Sequence, residues 1–372
     1  MVRLGLGTAW ECLFANDFDI KKAATYRVNF NGAPELICRD VRGITTSELL
    51  GNPTLAWASF PCQDLSLAGA GAGLAGGRSS VFWPFWGLML SLKGEGRNPA
   101  IIVIENVPGL ITSHQGRDLS NLIYALTDGD YRVGAIVLDA AYFVPQSRPR
   151  LFLVAFSSQV PLPSRITATV PSPAWHPHAL QEIVRKLEPN ARKAWVWWKL
   201  PMPLLDRPHL SDLIESEPKE VRWHSSEETQ KLLSMMTLAN LKKVREIQRS
   251  GLRQEGTVYK RTRNGVQRAE VRFDGMSGCL RTPAGGSSRQ IVMVVERDSV
   301  RSRLISSRET ARLMGLPETY SLPERYNDAY HLTGDGVVVP VVSWLELHII
   351  RPLAISAQQT GEQECQKRRE RA

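Results

Sequence analysis

Cysteine is scarce in this 372-residue chain: five residues, at 12, 38, 62, 279 and 365, an odd number with no CxxC pair. That spacing gives neither a disulfide framework nor a zinc site, so no metal is expected and a reducing compartment is. No uncharged apolar run reaches the roughly 18 residues of a membrane span, and Glu11 and Asp17 come too early for a secretory leader. The chain therefore reads as one that does not cross a membrane. No glycine-rich segment is followed by GK[ST], which excludes a phosphate-binding P-loop, and there is no internal repeat. Acidic groups are in deficit, 37 against 46 basic side chains, for a net charge of +9. A polyanion is the partner this balance favours, and nucleic acid is the first candidate.

What is present alternates. Short apolar and β-branched runs at 36–38 (LIC), 55–59 (LAWAS), 101–107 (IIVIENV), 133–140 (VGAIVLDA) and 150–156 (RLFLVAF) read as buried parallel strands. Helical patterns at 21–30, 81–93 and 119–128 lie between them, the alternation of an α/β sheet. The rhythm changes after Phe156, where prolines and tryptophans accumulate, and a second domain is expected from 157. One helix is predicted there, opened by a Ser225/Glu228 capping box, carrying Leu233, Met236, Leu241, Val244 and Ile247 on one face and ending at Gly251. Residues 253–272 hold six basic groups against two acidic ones, which suits either solvated surface or phosphate contact. The terminal KRRER reads as a frayed tail.

A lone cysteine at a strand end is usually a small buried hydrophobe. Cys62, however, follows LAWASF and Pro61, at the carboxyl end of a strand, where open α/β sheets place their ligand crevice. Beyond it, Gly69, Gly71, Gly73, Gly76 and Gly77 suit a mobile lid better than a simple surface linker. Glu105 ends the next strand, on the same edge as Cys62. Arg148 and Arg150, in QSRPR, stand at a strand start, where a buried guanidinium needs an anionic or carbonyl partner.

In this order and at these intervals, the proline-cysteine-glutamine, glutamate-asparagine-valine and glutamine-x-arginine-x-arginine segments resemble those of the DNA (cytosine-5) methyltransferase family, over almost the whole chain. The resemblance implies an α/β, Rossmann-like S-adenosylmethionine-dependent methyltransferase fold with a second, smaller target-recognition domain. Its boundaries are a catalytic, cofactor-binding domain at 1–156, the recognition domain at 157–330, a return to the catalytic domain at 331–358 and a basic tail at 359–372. It further implies Cys62 as the nucleophile that adds to C6 of a flipped-out cytosine. Glu105 is placed at N3 and the exocyclic amine, Arg150 at O2, and Arg148 as electrostatic support. For the cofactor it assigns Asp17 to the ribose hydroxyls, Phe18 and Asp40 to the adenine, and Pro61 and Asp335 to the same site. Segment 303–320 resembles the penultimate family motif and 334–342 the last, with Asp335 and Gly336 where asparagine and serine are usual. For DNA it assigns Gln63, Ser66 and Arg78, with Lys260, Arg261, Arg263, Arg281 and Arg289 as the best candidates in the recognition domain.

The family normally opens with a strand and an aromatic-x-glycine-x-glycine loop, whereas this chain starts at MVRLGLGTAW, which reads as the helix after such a loop. The expectation is that the upstream codons encode the loop and that the chain as written is unstable or inactive. Three functions stay open: an active modification methylase, a truncated homologue that binds DNA without methylating it, and a tRNA cytosine-5 methylase. The long region between Phe156 and Arg303 favours duplex DNA over RNA. The partners implied are duplex DNA and, as an option, a restriction endonuclease acting separately. The protein is expected to be a monomer, cytoplasmic and nucleoid-associated, of bacterial or phage origin.

Overall fold

The computed structural model describes residues 1–60, 81–263, 265–282 and 289–370, with backbone alone at 263 and 361–370. Strands β1 (Ala15–Asp17) and β2 (Leu36–Cys38) pair in parallel, joined by helix α2 (Ile20–Asn29), after the short helix α1 (Val2–Leu6). Asp19 caps α2 by accepting from Lys21 N and Lys22 N. A four-stranded sheet follows, built from β3 (Leu55–Ser59), β4 (Ile101–Asn106), β5 (Tyr131–Asp139) and β6 (Pro149–Ser157) in the order β3-β4-β6-β5. Helices α3 (Phe82–Gly94) and α4 (Arg117–Asp128) connect its strands.

All five expected runs are strands, but they are not all parallel. β3 and β4 are parallel, whereas β6 runs antiparallel to both β4 and β5. The reason is chain length: only 140–148 separates β5 from β6, and a parallel return takes a crossover of a dozen or more residues. Among the described strands, β1-β2 and the four-stranded sheet are separate. β3 is the edge of its sheet and its residues are half-buried or exposed, while all six residues of β4 are buried.

Packing does not break at residue 157. Val160, Ile166, Trp175, Val196 and Trp198 are buried in one cluster with Ile101, Val103 and Phe156 of the first sheet. The strands β7 (Thr167–Ala168) and β8 (Trp197–Trp198) pair there, and helices α5 (His178–Lys186), α6 (Pro189–Ala194) and α7 (Leu210–Leu213) lie in the same region. The single helix expected over 225–251 is two: α8 (Ser226–Ser234) and α9 (Leu238–Ser250). The Ser225/Glu228 capping box opens the first, but Thr237 accepts from Asn240 N and starts a second helix. An N-cap threonine competes with helix continuation, and Met236 bridges to Ala269 instead. Gly251, at φ 70°, ends α9 as expected.

A second sheet, β9 (Gln254–Arg263), β10 (Val266–Arg272), β11 (Ile291–Glu296) and β12 (Ser299–Leu304), is antiparallel in the order β10-β9-β11-β12. Leu232, Val244 and Ile247 of α8 and α9 bury against its Val258, Val271 and Met293. Helices α10 (Ser307–Leu313), α11 (Tyr326–Asp335), α12 (Val339–Leu345) and α13 (Arg351–Glu370) bring the chain back, and Val341, Trp344, Ile350 and Leu353 join the core of the first sheet. The run 326–360 has the length and mean hydropathy of a membrane span, yet 61% of its apolar window is buried in the protein. The end expected to fray is helical through Glu370, in a stretch rich in Gln, Glu, Arg and Lys, which favour helix.

Candidate active site

The site is assembled at the carboxyl ends of β3 and β4. Their register sets Ser59 beside Glu105, so the chain leaves β3 one residue later at Phe60, next to the end of β4. Glu105 is 7% exposed, and Arg150 Nε meets its Oε1 at 3.0 Å. Both side chains belong to the same face, because β6 carries Phe152 opposite Glu105 and Arg150 lies two residues along. A carboxylate this buried is tolerable because the guanidinium accompanies it. Arg150 is further held by its own Nη1, which donates to Pro149 O at 2.8 Å.

Cys62, Pro61, Gln63, Ser66 and Arg78 lie outside the described residues. Their entrance is fixed. Asn106 Nδ2 donates to Phe60 O at 3.0 Å while its Oδ1 accepts from Val107 N at 2.9 Å, and Asn106 is 3% exposed. Phe60 is buried against the Phe82 ring, 5.9 Å between centroids. Asn106 was part of the motif read from the sequence but was given no role there; its burial beside the strand end supplies one.

Arg148 is drawn elsewhere. It is 2% exposed, and its Nη1 donates to Leu280 O at 2.7 Å and to Cys279 Sγ at 3.3 Å. Its Nη2 donates to Gly334 O at 2.7 Å and Gly336 O at 2.8 Å. Burial first, then the neighbouring Arg150 charge, lower its pKa to about 10. Arg148 thus joins the first sheet, the loop after β10 and the turn after α11. Gln146, fully buried, ties the loop after β10 to the end of α10, accepting from Leu280 N at 3.0 Å and donating to Leu313 O at 2.8 Å. Asp139, which the sequence reading passed over, orders the intervening turn by accepting from Ala141 N at 3.0 Å and Arg148 N at 2.7 Å.

The cofactor candidates stand at the carboxyl ends of β1 and β2. Asp17 closes β1 and accepts from Asp19 N at 2.9 Å; Phe18 follows, 77% exposed. Asp40 lies two residues past β2, is exposed, and accepts from Arg42 N at 2.9 Å. Two carboxylates and an exposed ring at adjacent parallel strand ends fit a nucleoside, with acceptors for a diol and an amine and a flat apolar face. Asp335 is pinned by Lys22 Nζ at 2.6 Å and by Thr282 Oγ1.

The basic candidates separate. The stretch 253–272 is largely the β9-β10 hairpin, in which Lys260 pairs with buried Ala269 while Arg261 pairs with Arg268. Lys260 and Arg261 therefore belong to opposite faces. Arg261 stacks over Tyr259 at 4.9 Å, and the side chain of Arg263 lies outside the described ones. Arg281 is exposed. Arg289 turns inward, donating to Asn327 Oδ1 and lying over the Tyr326 ring at 5.7 Å.

The sheet thus carries a carboxylate–guanidinium pair at its strand ends, the parallel β1-β2 pair ends in two further carboxylates and an exposed ring, and an antiparallel sheet follows. The comparisons supply the class. Residues 2–351 match the family of C-5 cytosine-specific DNA methylases, and the chain belongs to that family, whose methyl donor is S-adenosylmethionine. It is 25% identical over 345 residues to the Type II methyltransferase M.NlaX of Neisseria lactamica, covering 92% of this chain and 90% of that protein. To M.HpaII of Haemophilus parainfluenzae it is 22% identical over 352 residues, covering 89% and 81%. Among solved structures, the S. pombe Dnmt2 methyltransferase superposes with a TM-score of 0.56 at 16% identity, over 92% of this chain and 91% of that one. The Entamoeba histolytica methyltransferase EhMeth gives 0.58 at 13% identity, over 91% and 90%. These last two likenesses concern the fold.

Proposed function

We propose that this chain methylates carbon 5 of a cytosine extruded from duplex DNA, with Cys62 as the nucleophile. The observation that carries the reading is the buried Glu105–Arg150 pair at 3.0 Å beside the tethered Phe60, two residues before Cys62. Carbon 5 is a weak nucleophile until a thiolate adds to C6. Glu105 holds the proton or hydrogen bond at N3 and the exocyclic amine that stabilises the charge built up by that addition, and Arg150 orients Glu105 and faces O2. When bound, S-adenosylmethionine supplies the methyl group. Asp17, Phe18 and Asp40 hold its nucleoside, and Asp335 acts through Lys22 and Thr282 rather than alone. A cytosine inside a duplex presents no ring face, so it is flipped out, and Gln63, Ser66 and Arg78 attend the vacated strand. Arg261 and Arg263 on one face of the hairpin, Lys260 on the other and Arg281 beyond it serve the recognition module as separate phosphate contacts, with Arg289 holding that module to α11.

By role, residues 1–156 and 331–358 serve catalysis and cofactor binding, 157–330 serve target recognition and 359–372 form a basic tail, although packing is continuous across 157. We further propose a monomer that works in the cytoplasm at the nucleoid, with any restriction endonuclease working separately; the bacterial Type II relatives support the cytoplasmic part alone. Duplex DNA carrying 5-fluorocytosine tests the proposal, because fluorine cannot leave as a proton does and traps the adduct. Incubation with S-adenosylmethionine should give a denaturation-resistant protein–DNA band, absent in Cys62→Ala. The same band in the alanine variant would remove Cys62 from the role, and DNA binding with no band in the parent would favour a binding protein.

A further inference from the structure

A cavity of about 670 Å³ opens at the amino end of β5, formed by that strand, α5, α6 and the segment 195–197. Val196 N donates to Val133 O at 2.8 Å and docks this segment on β5. Among the described residues, Arg132, Arg185 and Arg192 line the cavity and no carboxylate does. Arg185 has a partner outside it, Glu182 at 2.8 Å, and Arg192 Nη1 donates to Arg185 O at 3.3 Å. Arg132 is half-buried over the Phe156 ring at 5.4 Å, and among the described residues it forms no ion pair. A guanidinium out of water seeks a planar anion it can fork onto. Trp195 and Trp197 form the apolar wall, edge to face at 5.4 Å. Trp195 is 8% exposed, and its indole Nε1 has no hydrogen-bond partner among the described residues. Register keeps this cavity apart from the active site. Arg132 pairs with Phe156 and Glu105 with Phe152, four residues apart on β6, or roughly 13 Å.

We propose that this cavity binds a small planar aromatic phosphate, the chemistry of a mononucleotide, with the phosphate on Arg132 and Arg192 and the ring against Trp195 and Trp197. The volume suits such a ligand, and three guanidinium groups with aromatic walls select an anion that carries a ring over a bare ion. The site can fill while cytosine and cofactor are bound, because it opens at the opposite end of β5 and β4 from Glu105.

Phenyl phosphate, inorganic phosphate and phenol, each titrated into the full chain, test this by calorimetry and by the NMR resonances of the indole N–H groups. Phenyl phosphate should saturate one site and move the Trp195 resonance, assigned by its loss in Trp195→Phe. Its affinity should fall by about ten-fold or more in folded R132Q/R192Q, and inorganic phosphate should bind the parent about ten-fold more weakly, with no binding of phenol. No saturable binding of phenyl phosphate, a Trp195 resonance that does not move, or an unchanged affinity in the folded variant overturns the site. Equal affinity for inorganic phosphate overturns its aromatic half. Displacement by a short DNA duplex would assign the arginines to nucleic acid and overturn the small-molecule reading. The parent's own resonances decide the matter even where the variant does not fold.

Discussion

Asn106 offers cytosine no chemistry, yet its two hydrogen bonds, to Phe60 O and from Val107 N, fix where the chain departs toward Cys62. A nucleophile displaced by even 1 Å can cost about a hundred-fold in rate. Asn106→Ala should therefore slow adduct formation on 5-fluorocytosine DNA by about ten- to a hundred-fold, while affinity for the same duplex stays within about two-fold. Single-turnover quench experiments beside fluorescence anisotropy separate the two. An unchanged rate would show that the loop finds its place without the tether. The acid and guanidinium were readable as residue types at strand ends, but their mutual contact was not. The resemblance separates the roles of Arg148 and Arg150, two residues apart, but not their contacts, which folding alone sends to Glu105 for Arg150 and to four distant acceptors for Arg148.

The β9-β10 hairpin carries the element-scale argument. Arg261 and Arg268 are cross-strand partners, and like charges directly opposite each other cost stability. A phosphate between them would offset that cost. Arg268→Ala should then weaken binding to all duplexes alike and lower the salt slope by about one, while raising the stability of the free protein by about 0.2–1 kcal/mol. Titrations at several salt concentrations and urea unfolding read the two effects. A slope that does not change would leave Arg268 as solvated surface. The composition of 253–272 was plain in the sequence, but not its alternation: a strand sends successive residues to opposite faces, so a basic stretch is not one basic surface. Nor did the apolar stripe over 233–247 disclose the break at Thr237, because Leu233 and Met236 before it and Leu241, Val244 and Ile247 after it each keep the three-residue spacing of a helix.

At the scale of the molecule, Arg148 ties three separate parts of the chain. Arg148→Met should cost about 2–4 kcal/mol by stranding buried carbonyls, measured as a shift of the urea midpoint; a loss under about 1 kcal/mol would mean the parts hold without it. His176 gives the fold a pH dependence. It is fully buried, accepts from Ser172 N at 2.8 Å, and burial lowers its pKa from 6.5 to about 4. The unfolded chain binds a proton there below about 6.5 and the folded chain only near 4. Its contribution to stability is complete above 6.5, declines as the pH falls and is lost near 4. His176→Gln should flatten the unfolding free energy against pH in that window; an identical slope would place the titration elsewhere.

By itself the sequence determined the α/β class, the strand ends that carry Cys62, Glu105 and Arg150, the basic balance and the family. These are local: a buried strand must be apolar, a turn must follow it, and chemistry at its end needs a particular side chain in a particular order. The tertiary structure alone decided the direction of β6 among its neighbours, the packing of 160–214 onto the first sheet, the separate contacts of Arg148 and Arg150, the inward turn of Arg289 and the cavity beside Arg132. Each of these depends on which distant carbonyl, ring or carboxylate meets a side chain once the layers close. Pairings between residues far apart in the chain leave no period or spacing in a single sequence, because their geometry exists only after the intervening chain has folded.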